Sequence, residues 1–427
     1  LLVLSEGYIG TVQAALGSFA TLESDSPYNE ALKVRLIQEV NKRPDNSIFA
    51  EMLIWLYLQE QNYKQAARQA LALDKRQEGT GHRVYGVAGI AFNNARYSDA
   101  VEICDITMAN FKESSVYPEA RVLKLTAGFE QLRQGGKPNK NEIESLTLEY
   151  RKALLQIDDS ESKAQLMGRL AHIEAYYLLQ PDTALDIFEE ALALPGLNNR
   201  TVANLKLDYG DLLLASGFIW DASLMYGQVE KDFKYDVIGD EAKYRGARIS
   251  FYNGEFQLAS AHLDILKGST SKYIANDALY LSVLISDNST VDTSTEPLEM
   301  FAQADLLIFQ KQFSRANKFI DSIAHRFPGH SLQDDLLFLK YKIAYEAQSY
   351  QEAAGYLQKI FDEFSYEILA DKSLFLLAEL SSNHLNDKER AETLYERLLV
   401  DFKDSVYTAE ARKRLRSLRG DQNSNTP

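Results

Sequence analysis

The residues able to do chemistry are present in this chain, but their spacing does not bring them together. The six histidines, His82, His172, His262, His325, His330 and His384, form no HxxxH or HExxH pair. Asp321, His325 and His330 make the one close cluster, at intervals of four and five residues. "HRFPGH" reads as a helix-ending turn with no further ligand at useful spacing, so no metal site is expected there. Cys104 is the single cysteine and sits between Glu102 and Asp105. Successive residues on a helix point about 100° apart, so Cys104 and Asp105 cannot aim a nucleophile and a base at one substrate. The thiol falls in an apolar stripe and is expected in the core. Glu255 and Asp264 share a similar direction, but nine residues of helix rise roughly 13.5 Å. Carboxylates flanking a glycosidic bond must lie about 5–9.5 Å apart. The glycine-bearing stretches "RQEGTGHR" (76–83) and "LRQGGKPNK" (132–140) lack the GxxxxGK[ST] order and follow no strand. These patterns predict a non-enzyme with no catalytic residue, no metal and no cofactor.

Charge narrows the partners. The 427 residues carry 61 acidic against 46 basic side chains, a formal charge of −15, which repels nucleic acid. The basic run "ARKRLRSLR" (411–419) lies towards the C-terminal end of a last helix, where the helix dipole favours cations, and reads as a solvated face. No run approaches the roughly 18 apolar residues of a membrane span. The opening "LLVLSEGYIG" lacks the basic flank of a signal peptide, so no targeting segment is visible.

The elements that must position any site are helices in repeated pairs. "FYNGEFQLASAHLDIL" (251–266) has close relatives in "EQNYKQAARQALAL", "NNARYSDAVEICDIT", "QKQFSRANKFIDSI" and "EAQSYQEAAGYLQKI". The alanine after each turn recurs at Ala66, Ala100, Ala184, Ala222, Ala259, Ala316, Ala353 and Ala391, with neighbouring intervals of 34 to 38 residues outside two wider gaps. That period is two helices and two turns. Ala247 and Ala259 are small because two helices cross closely there, and Asn253–Gly254 supplies a reversal that needs φ > 0. About eight hairpins are expected between residues 45 and 400.

The predicted organisation is a partial repeat at 1–44, an array over 45–285 with a degenerate unit at 117–157, and a polar interruption at 286–297. Further repeats follow at 298–400, then a capping helix at 401–420 and a flexible tail at 421–427.

This pattern resembles the tetratricopeptide repeat family. The likeness rests on the period, on small residues in first helices (Ala88, Ala247, Ala304, Ala378), on the aromatic before each second helix (Tyr63, Tyr97, Phe256, Phe313, Tyr350), and on Ala153 and Ala191. "HRFPGHS" (325–331), "DEFSYE" (362–367) and "VDFKDSVYTAEARKRL" (400–415) are similar to the subclass found in envelope-associated bacterial repeat proteins. Of its proline only Pro328 is kept, with Ser365 and Lys403 at the other two positions. The chain is also similar to uncharacterised Bacteroidetes-type repeat proteins. The resemblance implies an all-α solenoid of stacked antiparallel hairpins, an α-α superhelix, acting as a protein-interaction scaffold. It also implies a place in the periplasm or at the outer-membrane periphery, with a cytoplasmic location the alternative.

In such a stack the first helices line a concave face. That face is expected to present Trp55, Tyr85, Phe92, Tyr244, Arg248, Phe251, Tyr252, Phe301, Phe309, Phe338, Lys342 and Tyr345 to a partner peptide or helix. Arg248 is the expected anchor for a partner carboxylate or carbonyl. A glycan- or small-ligand-binding module and an enzyme with an unrecognised site are the competing readings.

Overall fold

The computed structural model describes residues 10–13, 27–44, 46–134, 139–289 and 294–419. The tail expected at 421–427 lies outside them, as do most of residues 1–26, residues 135–138 of the long turn and residues 290–293 of the polar interruption. Among the described residues the fold is all-α, with no strand. Nine antiparallel hairpins run from Ser47–Gln59 with Tyr63–Arg76 to Ala370–Asn383 with Lys388–Asp401. That is one more than expected, because each of the eight aligned alanines marks a hairpin and the degenerate pair, Val116–Gln134 with Lys140–Leu154, adds the ninth. Pro27–Lys42, Lys272–Asn288 and Thr408–Arg419 stand outside the hairpins. The chain divides into two compact units, Leu1–Thr201 and Val202–Pro427.

One backbone device sets the hairpins. Gln61, Ala95, Leu179, Gly217, Gly254, Lys311, Gln348 and Asn386 all have φ between 54° and 91°, and each lies five residues before an aligned alanine. In six of these turns the reversal carries the paired bonds of a Schellman motif, such as Gly254 N–H to Phe251 O at 3.0 Å and Glu255 N–H to Ser250 O at 2.8 Å. The turns at Leu179 and Asn386 hold one residue more, so that Gln180 and Asp387 reach back to Glu174 O and Ser381 O. Only two of the eight positions are glycine, although an L-residue there costs about 1–2 kcal/mol. Packing covers that cost. All eight alanines are 0% exposed, as are Ala88, Ala247, Ala304 and Ala378 on the facing helices, so a Cβ is the largest side chain the crossings hold.

A second device joins one hairpin to the next. Five second helices end on a phenylalanine eleven residues after the alanine: Phe111, Phe233, Phe327, Phe364 and Phe402. Each caps its helix at φ between −120° and −131°, and its carbonyl accepts the N–H three residues on. The Ser114, Asp236 and Ser405 side chains then accept the N–H two residues further, which starts the following helix. The degenerate unit is held differently, by an Asn139–Glu142 capping box and by the buried Tyr150 hydroxyl donating to Leu125 O at 2.8 Å.

Thr408–Arg419 closes the array with Ala411 and Leu415 buried. Its basic run is answered locally. Arg414 pairs with Glu379 at 3.3 Å and Glu410 at 3.0 Å, and Arg419 pairs with Glu392 and Glu396.

Candidate functional site

In the Val202–Pro427 unit the first helices carry opposite charges at facing positions, and these form a ladder. Arg245 of Val237–Tyr252 donates to Asp211 Oδ2 of Asn199–Ala215 at 2.8 Å, and the Tyr226 hydroxyl donates to the other Asp211 oxygen at 2.7 Å. One turn on, Arg248 donates to the Tyr252 hydroxyl and lies 3.8 Å from Asp305 Oδ2 of Glu296–Phe309. Tyr252 donates to that same oxygen at 3.0 Å, and Lys342 of Gln333–Glu346 holds Asp305 Oδ1 at 2.8 Å. Burial opposes ionisation of Asp305, yet Lys342 and Arg248 together hold its carboxyl below the ordinary carboxylate value. Asp211 shifts the other way. Its burial outweighs Arg245 and raises it.

The last repeats also hold a helix from earlier in the chain. Lys272–Asn288, which extends three residues into the polar stretch expected at 286–297, meets helices far along the chain. Its Asp277 accepts from Lys372 at 2.9 Å, its Tyr280 donates to Asp335 Oδ1 at 2.8 Å, and its Tyr273 ring lies 6.1 Å from that of Tyr407. Ser331 donates to Asn288 Oδ1 at 2.6 Å. Ile274, Ala278, Leu281, Leu284 and Ile285 are buried, giving the helix an apolar side as well as this polar one. Asp334 and Asp335 are adjacent buried carboxyls at the start of Gln333–Glu346. Burial, then Glu367, pushes Asp334 up to about 6, and burial, then Asp334, raises Asp335.

The structure distributes the expected contact residues unevenly. Phe251, Tyr252, Phe301 and Phe338 are buried, with Phe251 against Phe256 at 5.7 Å and Phe301 at 6.4 Å. Arg248 meets the chain's own carboxylate in Asp305, and its guanidinium lies 5.4 Å from both the Tyr252 and Phe309 rings. Lys342 sits 5.5 Å above the Phe338 ring and Lys372 sits 5.8 Å above it. Tyr244 and Phe309 are half-buried. Tyr345 is exposed, within a group that includes Tyr341, Tyr350 and His384. In the Leu1–Thr201 unit Trp55, Tyr85 and Phe92 are half-buried against the N-terminal core. Sequence reasoning missed Asp277, Tyr280 and Lys372, because nothing local marks partners up to 95 residues apart.

The chemistry-bearing residues are dispersed. Among the described residues no group of three or more His, Cys, Asp or Glu could hold a metal ion. Cys104 is fully buried, and burial, then Asp105, pushes its thiol up to about 12, far from a reactive thiolate. Asp321 pairs with Lys340 at 3.2 Å, while His330 Nδ1 accepts the Leu332 N–H at 3.4 Å. No described helix is long and apolar enough to cross a membrane.

The hairpins, their turns and their alanine crossings define a helical-repeat protein of tetratricopeptide-like architecture. No family model matches the chain, and no curated protein matches it. Solved structures similar to it include a tetratricopeptide repeat protein from Parabacteroides merdae, 12% identical over 70% of this chain and 99% of that one, at a TM-score of 0.30. Another is the tetratricopeptide domain of P58(IPK), 13% identical over 88% of this chain and 99% of that one, at a TM-score of 0.24.

Proposed function

We infer that the protein is a non-enzymatic scaffold that seats protein segments on its first-helix faces, as a subunit or adaptor of a bacterial envelope assembly. The carrying observation is the docking of Lys272–Asn288. A helix is held against the last repeats by a lysine–aspartate pair, a tyrosine–aspartate hydrogen bond, the Ser331–Asn288 hydrogen bond and the Tyr273–Tyr407 ring contact. The same chemistry, a partly desolvated charge beside aromatic surface, suits a partner helix. In the Leu1–Thr201 unit the half-buried Trp55 and Tyr85 are the proposed anchors for such a partner. The envelope assignment is supported by the resemblance of the Phe327, Phe364 and Phe402 junctions to envelope-associated repeat proteins, and it proposes the periplasm or outer-membrane periphery.

Crosslinking in the native organism before lysis, followed by capture of the full chain and fractionation of the cell, tests both parts. The expected result is a defined protein partner in the envelope fraction, lost at least tenfold with Trp55→Ala plus Tyr85→Ala at a temperature where the variant remains folded. Recovery of the chain alone would overturn the scaffold. Recovery with a cytoplasmic partner would overturn the envelope assignment.

A further inference from the structure

The five phenylalanine junctions are alike in backbone and differ in what fills the space beneath them. Eight residues after the aligned alanine, three before the phenylalanine, stand Met108, Glu230, Ala324, Phe361 and Leu399. Met108, Phe361 and Leu399 pack into the two cores. Ala324 alone is small and is exposed, and beside it lies a solvent-open cleft of about 250 Å³, walled by Ile320, Phe327, Leu336, Leu337 and Phe364.

The turn above this cleft also departs from its relatives. Phe327–Pro328–Gly329–His330 has proline at its second position and φ +79° at its third, with His330 N–H donating to Phe327 O at 3.2 Å. That is a type II turn. The other four junctions carry Lys112–Glu113, Lys234–Tyr235, Ser365–Tyr366 and Lys403–Asp404 there, none in the left-handed region. Two independent departures, one in side-chain volume and one in turn type, coincide at a single junction.

We propose that this cleft is a binding pocket for one phenylalanine-sized side chain of a protein partner. The occupant's chemistry is read from the next repeat, where the equivalent space is filled by the chain's own Phe361, 4% exposed. Size agrees, since a dry apolar cavity of about 150 Å³ already takes benzene and the additional volume admits the benzyl carbon. Gln333, Lys340 and Glu363 on the lining offer donors and acceptors to the peptide groups on either side of the ring. Lys340 keeps its partner Asp321 at 3.2 Å, so Glu363 leaves the lining with one negative charge, which favours a neutral side chain over a carboxylate. The proposal deepens the scaffold reading and rests on it for the nature of the partner.

The test uses the full chain and two probes, N-acetyl-phenylalaninamide and N-acetyl-alaninamide, followed by saturation-transfer NMR and by the His330 ring resonances. The phenylalanine probe should shift His330 and the alanine probe should not. Ala324→Phe should weaken that response at least tenfold with the melting temperature held or raised, and the milder Ala324→Met should do the same if the larger ring overpacks. Phe361→Ala should open a second site for the same probe. An unaltered response in both Ala324 variants, or no response in the unmodified chain, overturns the pocket. Captured partners separate the two readings. Capture unaffected by Ala324→Phe overturns the pocket and leaves the scaffold, whereas probe binding without any captured protein supports the pocket and overturns the scaffold.

Discussion

The two units share their hairpin turns and alanine crossings, and both pair carboxylates with basic residues on other helices, but they differ in how far those pairings are linked. In Val202–Pro427 the charges face each other in a ladder, Asp211 with Arg245 and Asp305 with Arg248 and Lys342, and this ladder reaches the core through the buried Tyr252. In Leu1–Thr201 Glu60 pairs with Lys33, Asp74 with Arg83 and Glu174 with Arg151, with no tyrosine joining these pairs among the described residues, and a half-buried histidine is enclosed by rings. His172 lies 5.3 Å from Phe129 edge-on, 4.5 Å from Tyr176 and 6.2 Å from Tyr177. Burial, then Arg133, lowers it to about 4. The difference teaches that the repeat scaffold does not dictate its electrostatics. Each unit adds ionisable groups to the same alanine-centred frame, and their neighbours decide which protonation state is stable.

The sharpest break in this comparison is removal of the ladder's central acid. Asp305→Ala leaves Arg248 and Lys342, 27% and 36% exposed, without their shared carboxylate. A fully buried pair broken this way loses about 3–5 kcal/mol, and partial exposure reduces the expected loss here to about 2–3 kcal/mol. Urea unfolding followed by segment-resolved hydrogen exchange should place the loss in Val202–Pro427 and leave Leu1–Thr201 unchanged, because coupling in stacked repeats is between neighbours. Equal losses in both units would make the chain one cooperative block.

Acid should move one helix of each unit in opposite directions. Asp334, raised to about 6, binds its proton in the folded state before the unfolded chain does, so its penalty is fully present above pH 6 and is relieved as pH falls towards the ordinary carboxylate range. His172, lowered to about 4, is protonated first in the unfolded chain, so its contribution is lost as pH falls from 6.5 towards 4. Between pH 7 and 5, protection of Gln333–Glu346 should rise by about 1 kcal/mol and that of Ser160–Tyr176 should fall by about 2 kcal/mol. Asp334→Asn should reduce the rise and leave the share carried by Asp335, whose burial also raises it, and His172→Phe should cancel the fall in Ser160–Tyr176. A common direction in both units would show that other carboxylates dominate.

The smallest effect lies in the shared frame. Leu179, at φ 56° and 78% exposed, holds a left-handed position that glycine adopts without strain. Leu179→Gly should stabilise by about 0.5–1 kcal/mol, and Gly254→Ala, at φ 77°, should destabilise by a similar amount. Thermal melts of the two variants moving in the same direction would mean that the turns of the two units are not equivalent.

The sequence by itself determined everything that repeats over short range. Helical period, alanine crossings and the reversal at Asn253–Gly254 could be read because each depends on residues within one hairpin. The cleft at Ala324 was also within reach, since aligning the five phenylalanine junctions exposes the missing side chain at that position. Only the tertiary structure decided that Arg248 answers Asp305 and that Lys272–Asn288 lies across the last repeats. Asp277 and Lys372 are 95 residues apart, and no local spacing distinguishes that pairing from the many other oppositely charged pairs the chain could make. Packing chose among them: once the alanine crossings fix where the helices lie, burial penalises each charge that fails to find a partner.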